Sequence, residues 1–83
     1  MLVTIKYFAS IREAIGLASE QRKTTATHLA GLRDELLAAG PAYACLGRGR
    51  AVRMALGQIM SDESVALVEG CEVAFFQIGR AHV

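Results

Sequence analysis

Apolar and polar positions alternate in short blocks along this chain. Leu2 to Phe8 (LVTIKYF) is β-branched and aromatic, with Val3, Ile5 and Tyr7 alternating against Thr4 and Lys6. That pattern predicts a strand covered on one face. Leu2 and Phe8 add apolar weight to the second face, which implies partial cover there too. Ser10 is the expected cap of a short helix through Ile15, with Ile11 and Ile15 four apart and Gly16 closing it. Ser19 to Thr25 is polar and reads as an edge strand. Thr27 is the expected N-cap of a helix from His28 to Ala39. Leu29, Leu32, Leu36 and the adjacent Leu37 form its apolar stripe, and Arg33, Asp34 and Glu35 fall largely on the other side. Gly40-Pro41 stops that helix.

In the second half, Ala42 to Leu46 predicts one more helical turn, and Gly47-Arg48-Gly49-Arg50 a loop. Ala51 to Leu56 reads as a strand with Val52, Met54 and Leu56 on one face. Ser61 to Ser64 is a turn, Val65 to Val68 a short strand, and Glu69-Gly70 a tight turn. Cys71 to Phe76 is the last strand, with Val73 and Phe75 alternating against Glu72 and Ala74. The long helix packs most simply across one face of a mixed sheet. With the first and last strands parallel at the centre, the expected class is α+β, a β-grasp or ubiquitin-like architecture.

At 83 residues the chain suffices for one domain and not for two. A 53% hydrophobic content argues against disorder, and a net charge of +1 argues against nucleic-acid binding. No apolar run approaches the roughly 20 residues that span a bilayer, and Lys6 interrupts the first apolar stretch, so neither a membrane span nor a signal peptide is expected. A soluble cytoplasmic protein is the default expectation.

The residues hold little chemistry of their own. Cys45 and Cys71 are far apart and form no CxxC; two thiols cannot make a four-ligand metal site, and they read as free, buried or half-buried thiols. His28 and His82 have no second metal ligand at useful spacing and read as a helix-start residue and a tail residue. Arg48, Arg50 and Arg53 cluster beside two glycines without the Lys-Ser/Thr end of a P-loop. They read as a solvated loop first and a partner-facing patch second. No two carboxylates pair. Neither a cofactor, a metal nor a catalytic residue is expected. Phe75 and Phe76 point to opposite faces of the last strand, so one is core and the other is either covered or a partner contact. The pair is the candidate partner interface.

Four segments, in order and at compatible spacing, give the chain a likeness. They are Lys6-Tyr7-Phe8-Ala9-Ser10-Ile11-Arg12-Glu13-Ala14-Ile15-Gly16, Leu32-Arg33-Asp34-Glu35-Leu36, Arg53-Met54-Ala55-Leu56-Gly57-Gln58 and Glu69-Gly70-Cys71-Glu72-Val73-Ala74-Phe75-Phe76. Together they resemble the small, sulfur-carrying subunit of molybdopterin synthase, which usually has Asn where Gly57 stands; the change is expected to weaken a turn hydrogen bond. The resemblance implies a non-catalytic carrier in molybdenum cofactor biosynthesis. In that family an ATP-dependent adenylating enzyme activates a C-terminal Gly-Gly carboxylate, and sulfur displaces AMP to leave a thiocarboxylate. The large subunit supplies the catalytic groups. Side-chain-free glycines suit a tail that must thread a narrow site.

The tail departs from that pattern. After Phe76 the chain reads Gln77-Ile78-Gly79-Arg80-Ala81-His82-Val83, without Pro-Pro or a terminal Gly-Gly. Ile-Gly-Arg-Ala-His-Val is what ATC GGA AGA GCA CAC GTC, one frame of a common sequencing-adapter oligonucleotide, encodes. The preceding adapter bases AG complete a Gln codon after a native C, which is also the first base of every proline codon. The expected division is therefore a carrier domain over 1–76 and a non-family tail over 77–83, inactive as written. The alternative is a divergent tail in a homologue that lost sulfur carriage. Two other functions stay open: a carrier for a thiamine-type or other sulfur-transfer pathway, and a ubiquitin-like binding module without covalent chemistry.

Overall fold

The computed structural model describes residues 1–47 and 52–77. Five strands and two α-helices follow the order β1 (Leu2–Tyr7), α1 (Ala9–Ile15), β2 (Ser19–Lys23), α2 (Leu29–Ala39), a 3-10 helix (Pro41–Leu46), β3 (Val52–Leu56), β4 (Ile59–Ser61) and β5 (Glu72–Gln77). The sheet runs β2-β1-β5-β3-β4. Its central pair, β1 and β5, is parallel with Ile5 opposite Val73 and Tyr7 opposite Phe75; the other pairings are antiparallel. This is the expected α+β, β-grasp arrangement.

One face of the sheet is dry. Val3, Ile5 and Tyr7 of β1, Val73 and Phe75 of β5 and Met54 of β3 join Leu29, Leu32 and Leu36 of α2 in a single buried cluster. Leu37 lies at its margin, half-buried. The i, i+3, i+7 spacing of the helix leucines and the period-two alternation of the strands generate the contact directly. Gly31 lets α2 approach the segment before it: a Cβ there would stand 3.0 Å from the Ala26 Cβ.

Helix ends depart from expectation. Ser10 does not cap α1; Phe8 is the N-cap residue without a side-chain bond, and the Ser10 hydroxyl instead donates to the side-chain carbonyl of Gln77. Gly16 closes α1 at φ +88°, a left-handed conformation suited to glycine, with its N–H on the Arg12 carbonyl. Thr27 does not cap α2 either. His28 is the N-cap residue, and the Thr27 hydroxyl lies 2.9 Å from His28 Nδ1. The first-turn N–H groups of Leu29 and Ala30 donate to the carbonyls of Val65 and Glu63. Those bonds explain why Val65 to Val68 is not a sheet strand. The segment runs along the start of α2, bridges Ala66 to His28, and buries only Leu67. At the other end, Gly40 is extended because the following Pro41 excludes the helical region, which ends α2.

A further strand, β4, lies where the sequence pattern gave no element. Gly57 (φ +59°) and Gln58 (φ +71°) form a two-residue turn with both central residues left-handed, and Leu56 faces Ile59 across it. Glycine in place of asparagine therefore suits the turn, and its N–H donates to the Glu72 carbonyl at 2.9 Å, so the expected weakening has no basis here. Arg33 is a second correction. It is 5% exposed, and its Nε donates to the Leu46 carbonyl at 2.6 Å. The guanidinium goes inward because it satisfies a carbonyl at the end of the 3-10 helix.

Candidate functional site

Among the described residues, the opposite face of the sheet has no layer over it. β5 sends Glu72, Ala74 and Phe76 there, in alternation with the buried Val73 and Phe75. Phe75 is 0% exposed and lies 6.2 Å, ring to ring, from Tyr7. It is a core side chain, so Phe75 is removed from the candidate partner interface. Phe76 sits opposite Arg53 of β3 and is half-buried on the open face.

Two further apolar side chains share that face: Phe8, which the strand alternation already placed there, and Met60, which it did not. Phe8 continues the outward phase of Leu2, Thr4 and Lys6 and is 47% exposed. It is fixed there because its N–H donates to the Phe75 carbonyl, after which the chain turns sharply into α1 through Ala9 at φ +52°. Met60 pairs with Ala55, itself opposite the outward Ala74, and is 56% exposed. The signal for Phe8 was present in the strand alternation; Met60 required the position of β4.

The charges of this face are mostly basic. Lys6 Nζ is 3.3 Å from a Glu72 carboxylate oxygen. Arg53 and Lys23 are exposed, and among the described residues neither has an ion-pair partner. Arg48 and Arg50, the rest of the expected basic cluster, lie outside the described residues, as do 78–83 of the tail.

Edge strand β2 is held differently. The Tyr7 and Tyr43 hydroxyls both donate to one oxygen of Glu20, at 2.7 and 2.8 Å. Burial, reinforced by the Glu20 carboxylate, pushes the Tyr7 phenol well above its usual range, and Tyr43 in the same direction. Glu35 accepts from the Thr24 hydroxyl at 2.7 Å and pairs with Arg22 at 3.5 Å. Burial acts to raise its carboxyl, but the bonds from Thr24 and Arg22 outweigh it and hold the group below the usual range. These carboxylates clamp a strand.

Among the described residues no three His, Cys, Asp or Glu side chains gather to hold a metal ion, and no helix is long and apolar enough to cross a membrane. The shallow 530 Å³ depression at the start of α2, between Thr25, His28, Glu63 and Ser64, is wide open. Cys45 and Cys71 are half-buried thiols, and Cys45 Sγ donates to the Ala42 carbonyl at 3.8 Å.

Solved structures share the fold. SAMP1 of Haloferax volcanii superposes with a TM-score of 0.82 at 18% identity, over 99% of this chain and 100% of that one. A putative molybdopterin converting factor subunit 1 of Pyrococcus furiosus gives 0.75 at 18%, over 93% and 97%. The Helicobacter pylori complex of molybdopterin-converting factor subunits 1 and 2 gives 0.69 at 20%, over 99% and 100%. No curated protein matches the sequence. The model of the ThiS family does match, over residues 5–79, nearly the whole chain, and the protein is therefore a member of the ThiS family.

Proposed function

We propose that the chain is the sulfur-carrier subunit of a cytoplasmic molybdopterin synthase, non-catalytic itself, which docks on the large subunit through the open face of its sheet. The observation that carries this reading is that Phe76, Phe8 and Met60 share one face, exposed or half-buried, that no described element covers, with Phe8 beside the end of β5. Exposed aromatic side chains grouped in this way are what binding interfaces use as anchors. The molybdopterin pathway is favoured by the P. furiosus and H. pylori structures, the latter solved as a complex of two subunits.

Charging would proceed on the terminal carboxylate. A carboxylate oxygen attacks the α-phosphorus of ATP in the adenylating enzyme and pyrophosphate leaves. A sulfur nucleophile then attacks the acyl carbon and AMP leaves, giving the thiocarboxylate. The globular domain supplies docking, and charging requires a terminal Gly-Gly carboxylate, a motif that residues 77–83 do not contain. Intact-mass measurement after incubation with ATP, a sulfur donor and the adenylating enzyme tests this. No mass change is expected for the chain as written, and one oxygen-to-sulfur exchange once 77–83 is replaced by a Pro-Pro-linker-Gly-Gly tail. A thiocarboxylate on the unaltered chain would refute the claim about the tail. Failure of the repaired chain with every such enzyme would refute sulfur carriage.

The family match supports a second reading, a carrier for a thiamine-type pathway, with the same tail chemistry. Charging by the thiamine-pathway enzyme and not by the molybdopterin-pathway enzyme would select it.

A further inference from the structure

The open face carries an electrostatic asymmetry that the docking reading does not use. Its strand positions hold three cations, Lys6, Lys23 and Arg53, against one carboxylate, Glu72, and just past β4 the carboxylates Asp62 and Glu63 line a hollow shared with Arg53. Glu72 is already engaged by Lys6. Lys23 stands at the far edge, on β2. Arg53 stands on β3 directly across from Phe76, next to the strand that bears Met60. The Arg53 guanidinium is exposed beside Phe76 and, among the described residues, has no ion-pair partner.

We propose that Arg53 is a binding anchor of this face, and that the surface it meets on the large subunit is an apolar hollow with a carboxylate opposite Arg53 and an acidic rim. This rests on the docking function proposed above and adds to it the charge of the partner. Three physical points support it. Guanidinium is a planar donor fork matched to a carboxylate, and it binds two oxygens where an ammonium binds as a point charge. Arginine beside aromatic anchors is enriched among residues that dominate interfaces. An unpaired cation at an apolar margin would lose water on docking against a neutral or basic surface, a desolvation penalty that selects against such partners. Arg53 faces away from the core, so its replacement leaves the cluster around Phe75 untouched.

The test is calorimetric titration of the full chain into the large subunit encoded by the same genome, at low and at high salt. Circular dichroism verifies that each variant is folded. Wild type should bind, and more weakly at high salt, where charges more than a few ångströms apart are screened. Arg53→Glu should weaken low-salt binding by about tenfold or more, and Arg53→Lys by only about threefold, because charge is kept and the fork is lost. Phe76→Ser serves as the control for the docking face. Arg53→Glu binding within about twofold of wild type while Phe76→Ser fails to bind would overturn the role of Arg53 and leave the docking face standing. Equal losses for Arg53→Lys and Arg53→Glu would overturn the charge argument. Failure of the wild-type chain to bind would overturn both proposals. Sedimentation of the free chain as a dimer that Phe76→Ser dissociates would assign the face to a second copy and likewise overturn the inference.

Discussion

Phe75 and Phe76 are neighbours in the chain and opposites in the molecule. Phe75 is sealed between Tyr7 and the leucines of α2, on the face where every strand at the centre contributes an apolar side chain. Phe76 is half-buried opposite Arg53, on a face that no described element covers. One peptide bond separates a side chain packed inside the buried cluster from one that stands half-buried on the other face of the sheet. The comparison extends to β2, whose inward side chains are Glu20 and Arg22 and which is held by hydrogen bonds where the central strands are held by apolar contact. Sheet position thus decides whether a side chain stabilises by losing water or by finding a polar partner.

The sharpest way to break the comparison is Phe75→Ala. Removing a fully buried ring should cost about 3–5 kcal/mol, measured by urea unfolding; a loss below about 1 kcal/mol would mean the two faces are not distinct. Glu20→Ala should cost less, about 1–3 kcal/mol, because two phenols lose their acceptor while the apolar cluster is kept. A change near zero would show that the clamp is replaced by water.

Acid should reach β2 before it reaches the core. The Glu35 carboxyl is held below its unfolded value by Thr24 and Arg22 despite the opposing effect of burial. Its contribution is therefore present above the unfolded value, about 4.3 for a glutamate, and is lost as pH falls through the lower folded value. Melting temperatures of wild type and Glu35→Gln should differ at pH 7 and converge in strong acid; a gap that persists there would remove the linkage. The smallest expected effect on stability is Phe76→Ser, about 1 kcal/mol, because the half-buried ring loses only part of its apolar contact. Binding to the large subunit should nevertheless fail, and preserved binding would return the open face to an ordinary surface.

Periodicity carried most of this architecture. The stripe Leu29, Leu32 and Leu36 and the alternation of Val3, Ile5 and Tyr7 specify the two layers without any knowledge of the partner strand. The alternation of Val73 and Phe75 against Glu72 and Ala74 already held the answer to which phenylalanine is inside. What pattern could not carry was the destination of backbone hydrogen bonds. Val65 to Val68 has the composition of a strand, yet its carbonyls and amides are spent on the start of α2. Arg33 has the composition of a solvated position, yet its Nε donates to the Leu46 carbonyl, thirteen residues away, and the side chain lies inward. β4 was hidden because a three-residue strand has no period to detect, and with it Met60 was hidden.

The parallel pairing of β1 with β5 has a consequence for how the chain acquires its shape. The strands that form the centre of the sheet are Leu2–Tyr7 and Glu72–Gln77, nearly the full length of the sequence apart. The hairpin β1–β2 and the turn at Gly57-Gln58 close short loops and can form early, but each leaves an apolar face waiting for β5. The entropy of the long closure must be met before the central contacts repay it, which places this small domain among slower folders for its size. During synthesis, Val3, Ile5 and the leucines of α2 remain without their lid until residues 72–77 emerge, so the waiting half-sheet is the species most exposed to aggregation.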